Sequence, residues 1–436
     1  MSVRVRFAPS PTGQVHIGNI RAAIFNWLFA RHSGGKFLLR IEDTDRERST
    51  PEAVKAVLDA MDWLGLNVDD EPVYQSSRRE AHLAAAEELL RRGAAVREDK
   101  GGTGKGEAVV FRMPKETAEF EDIIKGRLQK DAKDVTDFVI VRSDGNPVFH
   151  LGNVVDDIQM GITHVIRGDD HVENTFRHVA LYRALGATPP RFAHLPMIVN
   201  AQGKPYSKRD GAAFVGEFRE KGFLADALFN YLALCGWSPG DDREVMSPDE
   251  LVAAFTLERV HPSPAQVDLT KLTWMNGEHL RRRPVAERLA GCRADLAAHG
   301  LWREGQDEGY LVRVVEAMAE RLKLYTDMAA QAGFFFTEEF PYDDKVVQKR
   351  LKKPGIAEGL TALRAAWAVL PIFTATALEE SLKAVAVARG VNPAEYIHAS
   401  RVAVSGLGVG PGLYVMLEVL GRERVCKRID RTLGML

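Results

Sequence analysis

A chain of 436 residues is too long for one hydrophobic core, so two to four domains are expected. Its 45% hydrophobic and 27% charged residues exclude a fibrous or compositionally disordered chain. The net charge of −2 excludes a uniformly basic nucleic-acid binder, and no apolar run reaches the roughly 18–20 residues needed to cross a bilayer, so no membrane association is expected. Arg4 and Arg6 open the sequence without an apolar signal core, which points to a cytoplasmic protein. Cys235, Cys292 and Cys426 are far apart and odd in number, which leaves no Cys-x-x-Cys metal site and argues against a disulfide framework.

In chain order, residues 3–7 alternate as a buried strand. The stretch "APSPTGQVHIGN" breaks it, and a helix follows over 17–31. "GGKFLLRIED" supplies a second strand. "TPEAVKAVLDAMDWLGL" supplies a helix with Thr50 as N-cap and Pro51 in its first turn. A further helix ends at Gly93, ahead of the Gly/Lys loop "REDKGGTGKGEA". Strands return with "DFVIVRSDG", "HVIRGDD" and "FAHLPMIV", with a helix over 173–186 between the last two. From Gly216 onward almost everything reads as helix. Alternating strands and helices imply a parallel sheet with covering helices. The expected architecture is an α/β Rossmann-type domain of nucleotide-binding kind with an α+β insertion, followed by an all-helical C-terminal half. Charge follows the same division. Residues 345–436 hold 14 Lys+Arg against 7 Asp+Glu, or +7, and the remainder is −9. A basic end on an acidic body suits a polyanion-binding module, although a solvated helical surface produces the same count.

Two stretches carry candidate chemistry. Residues 8–19 follow the first strand, where parallel sheets bind ligands. Gly13 permits a turn with positive φ, Gly18 allows close approach to the backbone, and the helix start offers unpaired amides to a phosphate. His16 adds a donor. A lone histidine before a helix is ordinarily a cap or a core residue, and Ser10, Thr12, Gly13 and Gly18 beside it shift the balance towards a nucleotide site. The second stretch, "NAQGKPYSKRDGAA", is a cationic Gly-containing loop after the last strand. Its Lys204, Lys208 and Arg209 suit a polyphosphate, or else a merely exposed basic loop.

Taken together, His-Ile-Gly-x after the first strand and x-x-Ser-Lys-x after the last resemble the double signature of class I aminoacyl-tRNA synthetases. "RFAPSPTGQVHIGNIRAA", "FLLRIEDTDRERS", "VIVRSDGNPVFHLGNVVDD", "GITHVIRGDDHVENTFRHVALYRALG", "FAHLPMI", "YSKRDGA" and "DLTKLTWMNG" are similar, in order, to bacterial glutamyl-tRNA synthetases. The resemblance is strong over 1–290 and weaker beyond. It implies that L-glutamate attacks the α-phosphate of ATP, carried with Mg2+, and that the glutamyl group then passes to tRNA(Glu). His16 and Lys208 would be the catalytic residues, with Thr12, Gly18, Asn19, Asp170 and Lys208 at ATP. A dianionic, monocationic amino acid needs at least two cations and one anion around it. Arg6, Arg167 and Glu42 fall on the family's pocket positions, with Ala8, Ser10, Phe149 and Asn153. Which arginine takes which carboxylate stays open. Local ion pairs, Arg167 with Asp169 or Asp170 and Glu42 with Arg46, are the ordinary alternatives.

Three departures stand out. Phe149 occupies a tyrosine position of the family, which removes a hydroxyl donor and bears on glutamate-versus-glutamine selectivity. The signature loop reads Pro205-Tyr206-Ser207-Lys208-Arg209, without its first lysine, and Lys204 sits one residue earlier. The fourth residue of the His-Ile-Gly-x signature is Asn19. The resemblance divides the chain into 1–75 and 140–205 (the two catalytic halves), 76–139 (a shortened acceptor-binding insertion), 206–285 (signature loop and stem-contact region), and 286–345 and 346–436 (two helical anticodon-binding subdomains). No zinc is expected. Lys349, Arg350, Lys352 and Arg364 are the candidate anticodon contacts, and Phe334–Phe336 reads as core. The resemblance implies a monomer. Rival readings are a form that also glutamylates tRNA(Gln), an inactive tRNA-binding paralogue, and a nucleotidyltransferase acting on a small metabolite.

Overall fold

The computed structural model describes residues 2–45, 47–99 and 106–436. Arg46 and residues 100–105 of the Gly/Lys loop lie outside the described residues. The described chain forms two compact units, one of residues up to 220 with 224–272, the other of 221–223 with 273–436.

In the first unit, β1 (Arg4–Phe7), β2 (Lys36–Ile41) and β3 (Val73–Tyr74) form a parallel sheet, with Arg4 opposite Lys36 and Phe7 opposite Leu39. Five of the six β2 residues are buried, as expected of a strand covered on both faces. A small antiparallel sheet follows, of β4 (Ala95–Glu98), β5 (Ala108–Phe111) and, later in the chain, β8 (Phe138–Val141). The expected boundary at 139/140 falls inside β8. The hairpin of β6 (Ala118–Asp122) and β7 (Gly126–Lys130) joins a second sheet through β10 (Arg191–Leu195), which runs parallel to β9 (His164–Gly168). The Arg4 carbonyl accepts from the Thr163 amide at 2.9 Å, and the Arg4 amide donates to Thr163 Oγ1 at 2.9 Å. These bonds bring β1 alongside β9. The carboxyl ends of β1, β2, β9 and β10 therefore open towards one side, where such sheets place their ligands.

Helices α1 (Ile17–His32), α2 (Pro51–Trp63), α3 (Arg79–Arg91), α4 (Phe149–Gln159) and α5 (Val172–Ala184) surround these strands. Thr50 caps α2 as expected, its side chain accepting from the Ala53 amide at 3.2 Å. α1 buries residues on every side, among them Ile20, Ile24, Phe25 and Leu28, which identifies it as a central helix. The unit continues through α6 (Val215–Glu220), α7 (Ala225–Leu234) and α8 (Pro248–Ala254). The expectation of helix throughout this stretch meets one exception. β11 (Ile198–Val199) pairs in parallel with β12 (Ala265–Gln266), which pins the segment leading into the signature loop to the chain beyond α8.

After α9 (Leu269–Arg282) the second unit is helical, with α10 (Val285–Ala298), α11 (Glu308–Met318), α12 (Met328–Ala332), α13 (Asp344–Arg350), α14 (Ile356–Ala368), α15 (Ala375–Ala388), α16 (Pro393–Ser405), α17 (Leu413–Leu420) and α18 (Arg422–Leu433). Its core includes fully buried Trp367, Tyr396 and Phe335. α14 lies against Tyr396 so closely that a Cβ on Gly359 would come within 2.2 Å of the ring, which is why glycine stands there. Phe334 and Phe335 are buried with ring centroids 4.3 Å apart, so this aromatic run is core.

Candidate active site

Beyond the strand tips lies a cleft of about 630 Å³. Arg6, from β1, is 3% exposed, and its Nε and Nη2 donate to the two Asp157 oxygens at 3.1 and 3.2 Å. Arg40 on β2 reaches the same carboxylate at 2.5 Å and Glu42 at 3.2 Å. Although burial opposes it, the Arg40 and Arg6 guanidiniums hold Asp157 below the usual carboxylate range. Glu42 thus arrives already partnered. Besides Arg40 it accepts from Asn153 Nδ2 at 3.0 Å, so Asn153 orients the acid at the cleft wall. Arg6 Nη1 makes no hydrogen bond to the described residues.

Arg167, at the tip of β9, is 7% exposed and has no carboxylate partner among the described residues. Its Nη2 donates to Thr175 Oγ1 at 2.7 Å, and its Nε faces His194 Nε2 at 3.4 Å. Asp169 pairs instead with Lys125 at 3.1 Å, and Asp170 lies 3.7 Å from His171, so neither local ion pair of Arg167 forms; that of Glu42 with Arg46 falls outside the described residues. Burial, and then the Arg6 charge, push the Arg167 guanidinium down to about 10. The histidines around it are kept neutral. Burial and neighbouring arginines lower His150 and His171 to about 4, and His178 goes well below its ordinary value.

At the start of α1, His16 does what an ordinary cap does: its Nδ1 accepts from the Gly18 amide at 3.0 Å. The Ile17 amide donates to the Ala213 carbonyl at 2.9 Å and the Asn19 amide to the His16 carbonyl at 3.0 Å. The expectation of unpaired amides at this helix start is therefore corrected, because His16 takes the Gly18 and Asn19 amides and the distant Ala213 carbonyl takes that of Ile17. What faces the cleft is the His16 ring, whose Nδ1 acceptor role places the proton on Nε2, and whose burial lowers its pKa. A Cβ on Gly18 would lie 3.2 Å from His16 Nδ1, so the glycine keeps this wall low.

Ala8, Ser10, Thr12, Gly18, Asn19 and Asp170 also line the cleft, as does Phe149, which is 36% exposed. Lys208 does not. It opens a short turn capped by Ser207 and Asp210, its side chain is 74% exposed, and it sits 3.8 Å from Glu217. Lys204 is exposed on the preceding turn. Tyr206 anchors the loop, buried and donating to the Ala212 carbonyl at 3.1 Å.

Several residues in the cleft wall and behind it escaped the sequence reading. Arg21 lines the cleft, donates to the Pro196 carbonyl at 2.6 Å, and keeps Nε and Nη2 buried without a partner. Arg40, Asp157, Thr175 and His194 hold the two clamp arginines. Asp157 could have been suspected from the paired acids of "NVVDD", and His194 and Thr175 carry no local signal.

Comparison with known proteins places the chain in a family. Residues 2–102 and 96–274 match the family described as tRNA synthetases class I (E and Q), catalytic domain, and residues 285–433 match an anticodon binding domain. A glutamate–tRNA ligase of Methylacidiphilum infernorum is 40% identical over all of this chain and 99% of its own. Glutamate–tRNA ligase 1 of Caldanaerobacter subterraneus is 38% identical, over 100% and 98% respectively. The crystal structure of a glutamate tRNA ligase from Elizabethkingia meningosepticum, in complex with its amino acid, superposes over the whole of both chains with a TM-score of 0.86 at 30% identity. On full-length relatedness of this order, the chain belongs to the glutamate–tRNA ligase family of class I aminoacyl-tRNA synthetases.

Proposed function

We propose that the cleft activates L-glutamate with ATP and passes the glutamyl group to tRNA(Glu). The observation that carries this reading is the charge around one end of the cleft. Arg6, Arg167 and Glu42 line that end, and Arg40 and Asp157 lie buried behind Arg6 and Glu42, three cations against two anions. A ligand of net charge −1 with two carboxylates completes that set, and glutamate is such a ligand. Arg6, through Nη1, and Arg167 take the carboxylates. Glu42, held by Asn153, takes the ammonium with Ser10 and the Ala8 carbonyl, and Phe149 covers the opening.

Thr12, His16, Gly18, Asn19 and Asp170 line the nucleotide end. The glutamate α-carboxylate oxygen attacks the α-phosphorus, the bond to the bridging oxygen breaks, and pyrophosphate leaves. His16 donates from Nε2 to the phosphate chain. Lys208 swings in as negative charge builds on the phosphorus oxygens, which is catalysis by electrostatic complement to the transition state. Magnesium enters as part of the nucleotide. A terminal ribose hydroxyl of the tRNA then attacks the glutamyl carbonyl, and AMP departs.

In the second unit, Arg364 is committed to Asp430 by two bonds of 2.9 and 2.8 Å. Lys349 and Lys352 are exposed and Arg350 is half-buried, and these three are kept as the candidate anticodon contacts. The three free, buried cysteines fit a reducing cytoplasm, and the reading takes the enzyme as a monomer. Charging purified glutamate and glutamine tRNAs with labelled glutamate tests the proposal. Glutamate tRNA is the expected acceptor, and transfer to neither would refute it. Transfer to both would identify the form that also glutamylates tRNA(Gln).

A further inference from the structure

Arg6 and Arg167 solve the same problem differently. Arg6 meets its counter-charge directly at Asp157. At Arg167 an imidazole stands where the carboxylate would be. His194 Nδ1 lies 2.6 Å from Asp122 Oδ2, and its other ring nitrogen lies 3.4 Å from Arg167 Nε and 2.9 Å from Thr175 Oγ1. Asp122 and His194 are 1% and 0% exposed, and neither lines the cleft.

We propose that Asp122 and His194 are positioning residues for Arg167, a carboxylate–imidazole–guanidinium relay that aims Arg167 at the glutamate carboxylate without neutralising it. This rests on the reading of Arg167 as a carboxylate clamp. The Asp122 carboxylate is fixed by its own turn, accepting from the Ile124 and Lys125 amides at 2.9 Å each and from the His194 amide at 3.1 Å. It takes the His194 Nδ1 proton as a fourth bond and thereby sets the tautomer. Nε2 is left as an acceptor, towards the Thr175 hydroxyl at 2.9 Å and the Arg167 Nε at 3.4 Å. Thr175 and His194 then hold Nη2 and Nε, two of the three guanidinium nitrogens, while Nη1 makes no hydrogen bond to the described residues. A carboxylate placed directly on those nitrogens would orient the group equally well, but would compete with the substrate for its charge. The imidazole supplies orientation alone. Asp122 belongs to the β6–β7 hairpin, so a segment expected to serve the tRNA acceptor end also governs the amino-acid pocket.

The test is steady-state aminoacylation with tRNA(Glu), reading the KM for glutamate and for ATP separately. Asp122→Asn keeps the shape but presents an amide N–H to Nδ1. That drives the ring proton to Nε2, where it faces the Arg167 N–H. His194→Phe keeps the packing between Phe120 and Phe192, whose centroids lie 6.0 and 6.2 Å from that of His194. Each is expected to raise the glutamate KM roughly tenfold or more, the scale of a lost hydrogen bond to a charged group. The ATP KM should stay within about twofold, because uniform damage would move both. Arg167→Gln should raise the glutamate KM further, and adding His194→Phe to it should cost nothing more. If Arg167→Gln is impaired while both relay variants bind glutamate normally, the relay is overturned and the clamp stands. If both KM values rise together, the two residues are only structural. If Arg167→Gln itself binds glutamate normally, the clamp reading falls and the relay with it.

Discussion

The buried arginines at the strand tips and the lysine of the signature loop are built to opposite specifications. Arg6 and Arg167 are 3% and 7% exposed and held by several bonds each, whereas Lys208 is 74% exposed and touches one carboxylate at 3.8 Å. A group that binds a substrate throughout the reaction gains from being fixed before the substrate arrives, because little order remains to be imposed. A group needed only while charge develops on phosphorus gains from staying in water, since a compact ammonium on a flexible stem moves without repacking anything. The difference separates recognition from catalysis within one cleft.

The comparison breaks most severely at Asp157, which anchors Arg6 and Arg40 together. Asp157→Asn leaves two buried guanidiniums short of a counter-charge, and removing one partner of a buried pair costs about 3–5 kcal/mol. Urea unfolding followed by far-ultraviolet circular dichroism should show the first unit melting at markedly lower denaturant. A wild-type midpoint would mean that the strand-tip arginines are not held as a rigid set. Lys208→Ala tests the other half. Adenylate formation should slow by about 10²–10³, the range for one lost transition-state donor, with the glutamate KM and the unfolding midpoint unchanged. A raised glutamate KM with normal turnover would place Lys208 among the binding groups and erase the distinction.

How much of this was legible in the sequence follows from the range of the interactions involved. The strand tips, the Thr50 cap and the helical second half could be read because they depend on local periodicity, whereas Arg6, Glu42 and Arg167 could be grouped only through the resemblance that puts them on the family's pocket positions. The pairing of Arg6 with Asp157 spans 151 residues and that of His194 with Asp122 spans 72, and no local pattern announces either. The amides opening α1 were misread for a related reason. Two of them are satisfied by His16, but the Ile17 amide finds its acceptor at Ala213, far along the chain. Sheet membership was the hardest to foresee. β8 is as apolar as a parallel core strand, yet it pairs antiparallel with β5, because hydrophobicity alone does not fix a partner.

The smallest effect is expected at Glu217, and it sharpens the contrast most finely. Its Oε2 accepts from the Ala213 and Phe214 amides at 2.9 and 3.2 Å, while Oε1 faces Lys208. An ion pair with so exposed a lysine contributes at most about 1 kcal/mol, so it parks the side chain without locking it. Glu217→Gln retains an oxygen for the two amides and removes only the charge. Turnover should then change by no more than about threefold, consistent with a pair worth under 1 kcal/mol, and the residual effect should vanish as salt is raised. A fall as deep as that of Lys208→Ala would show instead that Glu217 delivers the lysine. The loop would then be a fixed part of the site, as organised as the arginines opposite it.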